Sequence, residues 1–371
     1  MTLDRLRAAV IGSLMSDPTS ELNRTCRELG VDGAWQLLTS GRAIVPPWMV
    51  RRIAALHPDD VLQRARRSGA RLLLPDDPAW PPQLRDLGAA EPWALWVRGP
   101  GLDTLLDRRS VAIVGARACT HDGRRVASEF AAGIARHGNA VVSGGAIGID
   151  GAAHLGALAV DGVTVAVLAS GVDVPYPAEH ADLLERIAVT GALVSEALPG
   201  SGVTRPAFLV RNRLIAALAY GTVVVEARLR SGSISTYAHA RALHRVGMAV
   251  PGSVLRPEHA GSNALLQSDA ALVTSAEDVL SLVEPLGAVA VPEPTAPLGE
   301  WDDLDLDERA VHEALPSRGS CGIATLLERA ELPGGTPAIL AALAMLQHRG
   351  LVAEEVDGTW RRVRALRGAA T

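Results

Sequence analysis

The 371-residue chain contains no lysine, so all 36 of its basic residues are arginine. That bias fits a GC-rich coding sequence better than a choice made for forked anion contacts. It also excludes an ordinary Walker phosphate loop, which needs Gly-Lys-Ser/Thr at its end. Aromatic residues make up only 3%, so the cores must be filled by alanine, valine and leucine. The three cysteines, Cys26, Cys119 and Cys321, are far apart and odd in number. They form neither a disulfide framework nor a zinc spacing, which points to a reducing compartment. No apolar run approaches the ~18 residues that a membrane span requires. Met1 to Arg5 runs straight into an amphipathic pattern without a basic-then-apolar leader, so a cytoplasmic protein is expected.

Apolar residues make up 48% of the chain, enough for packed cores, and the length predicts two or three domains. Residues 1–70 read as a small helical module of the SAM or helix-hairpin-helix kind. Leu6, Val10 and Leu14 recur at helical spacing, and Gly30, Gly33, Gly41 and Pro46-Pro47 punctuate the later helices of the module. Residues 71–110 form a lead-in with a short strand at 71–74, and Trp93 and Trp96 are expected to pack it down. From 111 onward, β-branched runs alternate with helical stretches. They predict strands over 111–114, 140–143, 164–169, 192–195, 222–226, 248–251 and 271–274. Continuous apolar strands separated by helices indicate a doubly wound, mostly parallel α/β sheet of extended Rossmann type over 71–285. Residues 286–300 carry Pro292, Pro294 and Pro297 and read as a semi-rigid linker. In 301–371, three helices (306–315, 322–330, 336–349) precede a hairpin with an Asp357-Gly358 turn, a winged-helix arrangement.

In such a sheet, ligands bind beyond the carboxyl ends of the strands. Gly115-Ala116-Arg117 follows the first parallel strand and Ser143-Gly144-Gly145 the second, leading to Gly148-Ile149-Asp150. Glycine lets the backbone approach a ligand, and the helix that comes next offers unpaired N–H groups to an anion. A dinucleotide does not fit. The turn after the first strand lacks G-x-G-x-x-G, and Ser143 stands where a ribose-binding acid belongs. Further along, Arg211-Asn212-Arg213 opens a helix. Arg228, Arg230, Ser231, Gly232 and Ser233 come after another strand. Several anion sites along one edge suit a polymer backbone better than a single small ligand. Asp150 and Ser233 also fit plain helix caps, and Arg213 fits an ion pair with Glu226 or Glu196. Between 111 and 285 there are 13 arginines against 15 acids, so any nucleic-acid site must be a focused patch. The third helix of the tail carries only His348 and Arg349 as basic groups, which favours protein contact over reading duplex DNA there.

Together these residues resemble the DNA-processing protein A (DprA/Smf) family. The resemblance is carried by 111–117, by 142–150 with Ala152-Ala153-His154, and by 166–173 with Tyr176-Pro177. Ser195-Glu196, Phe208, Arg211-Asn212-Arg213, Val225-Glu226-Ala227, Ser231-Gly232-Ser233, Pro251-Gly252 and Gly261-Ser262-Asn263 continue it in order. The resemblance implies a homodimer that binds single-stranded DNA at the Rossmann edge and loads the RecA recombinase in natural transformation. It implies no cofactor and no turnover. The DNA-binding residues expected are Gly115, Arg117, Ser143, Gly144, Arg211, Asn212, Arg213, Arg230, Ser231, Gly232 and Ser233. Ile147 and Ala178 stand where many members carry basic residues, and Gly145 replaces a leucine.

The sequence keeps two other classes open, a nucleotide-cleaving enzyme of the wider Rossmann-like group and a nucleotide sensor. No G-x-S-x-G or H-E-x-x-H motif supports the enzyme. His154, in an alanine-rich helix, reads as structural. Asp302, Asp303 and Asp305 read as a helix cap rather than a metal site. Pro333-Gly334-Gly335-Thr336 faintly matches a nucleotide loop, but reads as a turn with Thr336 capping the next helix.

Overall fold

The computed structural model describes residues 2–15, 17–42, 44–285 and 304–363. The expected linker, with Asp302 and Asp303, lies outside them. The chain divides into two units, 1–291 and 292–371.

The first unit begins with four helices, α1 (Leu3–Leu14), α2 (Glu21–Thr39), α3 (Pro47–Ala54) and α4 (Pro58–Ser68). Gly30, at φ 67°, kinks α2. A short α5 (Thr104–Asp107) lies in the lead-in. The helices α6 (His121–Arg136), α7 (Ile149–Leu158), α8 (Ala181–Thr190), α9 (Arg205–Ala217), α10 (Gly232–Ala242), α11 (Ala260–Ser268) and α12 (Ala276–Val283) alternate with the strands.

Nine strands make one sheet: β1 (Arg71–Leu73), β2 (Leu95–Arg98), β3 (Ser110–Val114), β4 (Ala140–Ser143), β5 (Thr164–Val167), β6 (Ala192–Ser195), β7 (Gly221–Val224), β8 (Val246–Ala249) and β9 (Ala271–Leu272). Their order is β1-β2-β6-β5-β4-β3-β7-β8-β9. The seven strands expected from the sequence are all present, paired in parallel. At one edge, β2 is antiparallel to β6 and β1 antiparallel to β2. Strand β2 lay unrecognised inside the lead-in, since its partner is about a hundred residues away. The chain runs outward from β3 in both directions, so the crossover changes side between β3 and β7. That is the switch point at which open sheets bind ligands.

The two faces arise from the alternation of each strand. On β3, Val111 and Ile113 pack with Ala127, Phe130, Ile149 and Leu280 from α6, α7 and α12. Ala112 and Val114 pack with Leu214 and Ile215 of α9 and Tyr237 of α10. The N-terminal helices do not stand apart. Leu6, Ile11, Leu14, Leu38 and Met49 share one core with Ala166, Leu168, Leu184 and Leu193. Trp93 and Trp96 are buried in that core. The Trp93 indole N–H donates to Asn23 at 2.8 Å, and the Arg27 guanidinium lies 4.8 Å over the Trp93 ring.

The second unit holds α13 (Leu306–Ala314), α14 (Ile323–Ala330) and α15 (Gly335–His348), with a hairpin of β10 (Val352–Glu354) and β11 (Trp360–Arg362). Val311, Leu326, Ile339, Leu343, Leu346 and Trp360 form its core. Asp305 and Glu308 make a reciprocal cap at the start of α13. At α15 the expectation is corrected. Gly334 holds the cap position without a side-chain bond, and Thr336 lies exposed within the first turn.

Candidate nucleic-acid interface

The switch point opens into a cleft of about 380 Å³. Gly115 and Arg117 enter it from the end of β3, Ala146 from the turn after β4, and Asp150 from the start of α7. Arg205, Phe208, Arg211 and Asn212 come from α9, and Ser231, Gly232 and Ser233 from the start of α10. A second lobe of about 270 Å³ shares Arg117, Ala146 and Phe208 and adds Gly144, Ile147, Tyr176 and Pro177.

Arg117 divides the lobes. It is exposed, and no hydrogen bond or ion pair holds it among the described residues. Its guanidinium lies 4.8 Å over the Phe208 ring, and the Tyr176 ring sits 5.6 Å from Phe208. Arg205, at the start of α9, is exposed and likewise unpaired among the described residues. The cleft is therefore lined by three arginines against one carboxylate, in a chain whose net charge is −5.

That carboxylate, Asp150, is buried and turned inward. It accepts the backbone N–H of Gly144 at 3.2 Å and of Ala146 at 3.5 Å. Burial pushes its pKa up, and Arg211 with the main-chain donors pulls against that shift. Gly144, expected to bind DNA, thus has its N–H already held by Asp150 and not free for a phosphate. Asp150 is not a helix cap either. Gly148 occupies that position, and Asp150 clamps the turn leading into α7.

Arg211 is buried beside the same turn. It donates to the carbonyl of Gly144 at 2.6 Å and to that of Val167. A Cβ at residue 144 would overlap the Arg211 guanidinium, so glycine is required there to seat this side chain. Burial pushes the Arg211 pKa down to about 10; Asp150 offsets this and Arg117 adds to it.

Gly148 has φ +94°, and a Cβ there would overlap the carbonyl oxygens of Ala116 and Arg117. The turn after β4 thus presses directly on the segment that carries Arg117. At the third entry point, Ser231 caps α10 by accepting from Ser233 N–H, and its hydroxyl pairs with that of Ser233 at 2.7 Å. The Gly232 N–H keeps no partner among the described residues, and the Gly232 carbonyl accepts from Asn212 at 3.2 Å. A helix start with a free N–H in the same cleft as the unpaired Arg117 and Arg205 is a suitable phosphate seat.

Other expected residues stand elsewhere. Ser143 is fully buried and donates to the Ile113 carbonyl at 2.6 Å, so it joins β4 to β3 rather than facing a ligand. Arg213 points away from the cleft and pairs with Glu196 at 2.6 and 2.7 Å. Arg230 is exposed on the loop before Ser231 but does not line the cleft. Arg228 pairs with Glu258 at 2.8 Å. His154 is fully buried. The Thr164 hydroxyl donates to Val141, so it accepts the Nδ1 proton of His154 at 2.7 Å. Its Nε2 has no partner among the described residues, and burial lowers the imidazole pKa to about 3.

Arg205 was missed by sequence reasoning because α9 was expected to open at Arg211. It opens at Arg205, where Thr204 accepts the Ala207 N–H and Pro206 stands in the first turn. Thr-Arg-Pro is a helix-start signal that was available.

These features define an extended Rossmann-type α/β protein with an arginine-lined cleft at its switch point. The family described as DNA recombination-mediator protein A matches residues 71–284, and the chain belongs to that family, whose curated members are called DprA or Smf. The chain is 48% identical over 323 residues to a putative DNA processing protein DprA of Mycobacterium tuberculosis, covering 84% of this chain and 82% of that one. It is 39% identical over 208 residues to DprA of Streptococcus pneumoniae, 56% of this chain and 72% of that one. The X-ray structure of the S. pneumoniae protein superposes with a TM-score of 0.64 at 31% identity, covering 77% of this chain and 99% of that one. DprA of Helicobacter pylori, described for its single-stranded DNA binding mode, gives 0.52 at 28% identity, covering 57% and 94%.

Proposed function

We propose that this protein binds single-stranded DNA along the switch-point cleft and delivers it to the RecA recombinase in transformation or recombination. It acts as a cytoplasmic homodimer and turns over no substrate. The observation that carries the reading is the pairing of free guanidinium groups, Arg117 and Arg205, with aromatic rings in one open cleft. Phosphates meet the arginines and the Gly232 N–H, and unpaired bases meet Phe208 and Tyr176. Backbone contacts carry no sequence information, so little base preference is expected. A single strand can present its bases to a ring; a closed duplex cannot.

The test is fluorescence anisotropy with single-stranded and duplex oligonucleotides over a salt series. Single strands should bind more tightly, with log K falling linearly in log salt by about 0.7 per phosphate contact. Equal affinity for duplex, or a flat salt response, would overturn the reading. Nucleotides incubated with the protein should be recovered unchanged. RecA should assemble faster on strands that carry the protein.

A further inference from the structure

A third cavity, of about 340 Å³, opens on the far side of the first turn of α9. Pro206, Ala207 and Val210 face it, while Arg205, Phe208 and Leu209 face the main cleft. Arg211 lines both, so the α9 start is a narrow ridge between two adjoining hollows. The outer wall of the third cavity is α3, through Trp48 and Arg52.

Helix α3 is anchored by Met49, which is buried in the N-terminal core, and it turns Trp48, Arg51 and Arg52 outward. Trp48 is 40% exposed, whereas Trp80, Trp93, Trp96 and Trp360 are buried. The Trp48 ring is therefore accessible on the wall of the cavity. Neither Arg51 nor Arg52 has a hydrogen bond or ion pair among the described residues. The one acid in the cavity, Glu196, is already neutralised by Arg213. An exposed ring beside unpaired arginines is the combination that holds a single strand by stacking and phosphate contact.

We propose that the bound strand crosses the α9 ridge and continues onto α3. There one base stacks on Trp48, and Arg51 and Arg52 take the adjacent phosphates. The N-terminal helices are then part of the DNA-binding surface, and the site is longer than the main cleft. This extension rests on the main cleft being a single-strand site.

The test compares oligothymidylates of increasing length on wild type, Trp48→Ala, the Arg51→Ala/Arg52→Ala double variant, and Arg117→Ala. On long strands, Trp48→Ala should lose about ten-fold in affinity, as expected for one stacked base, and Trp48→Tyr should recover most of it. The double variant should lower the salt slope by about 1.4, two contacts' worth. On the shortest strand that binds, the losses at α3 should vanish, while Arg117→Ala stays weak at every length. These side chains are exposed, and thermal melts should confirm intact folding. If α3 variants bind long strands like wild type with an unchanged slope while Arg117→Ala is weak, the extension alone is wrong. If wild type binds no strand of any length, the main-cleft reading fails with it.

Discussion

Arg117→Ala and Arg213→Ala remove the same guanidinium group from two positions that the fold treats in opposite ways. Arg117 is exposed and unpaired, resting 4.8 Å from the Phe208 ring. An exposed cation–π contact is worth about 0.5–1 kcal/mol, so the fold should survive its loss. A hydrogen bond to a charged group contributes about 1.5–3 kcal/mol, so binding should fall roughly ten- to hundred-fold. The salt slope should shrink by about 0.7, one phosphate on a single strand. Arg213 is 5% exposed and forked onto Glu196, itself 15% exposed. Deleting it leaves a largely buried carboxylate without its partner, at a cost of about 3 kcal/mol, the low end for breaking a buried pair. The assay is paired: urea unfolding for stability, and anisotropy over a salt series for binding. Arg117→Ala should move only the second, and Arg213→Ala chiefly the first. An unchanged slope and affinity in Arg117→Ala would refute the placement of the phosphate at the mouth of the cleft. A lowered slope in a fully stable Arg213→Ala would refute the assignment of Arg213 to Glu196 rather than to DNA.

Three further outcomes are expected of the site. Phe208→Ala should weaken single-strand binding about ten-fold by loss of stacking while leaving the salt slope near wild type, as anisotropy over the same salt series would show. Gly148→Ala forces a side chain into a left-handed position and onto the carbonyls of Ala116 and Arg117. It should cost about 1–3 kcal/mol in urea unfolding and also weaken binding, because the Arg117 segment is displaced. His154 is neutral when folded, with its pKa lowered to about 3 from 6.5. Below 6.5 the unfolded chain takes up a proton that the folded one refuses, so stability present at neutral pH is lost as pH falls. The loss is about 1.4 kcal/mol per unit, or about 2 kcal/mol by pH 5. His154→Gln should flatten that part of the pH dependence of the urea midpoint.

The runs of valine and alanine between helices sufficed to place seven parallel strands, because a strand buried on both faces must be apolar throughout. Glycine at the strand ends likewise marked where a ligand belongs, since a side chain at 148 would run into the carbonyls of Ala116 and Arg117. The tail was legible for the same local reasons: helical spacing, then a turn at Asp357-Gly358. The features that stayed hidden depended on partners distant in sequence. Strand β2 exists because β6 accepts it, and nothing within 95–98 announces that pairing. Arg211 and Arg213 look alike in the motif, yet two steps along a helix turn them to opposite sides. Only the packing of α9 shows that one supports the turn after β4 and the other binds Glu196. Asp150 takes amide groups that the local pattern left for a ligand. The chain by itself thus determined the elements and the place where a ligand belongs, which are set by local sterics and periodicity. The tertiary structure decided which charges remain free to meet it, because a charge is free only when no distant group has already claimed it.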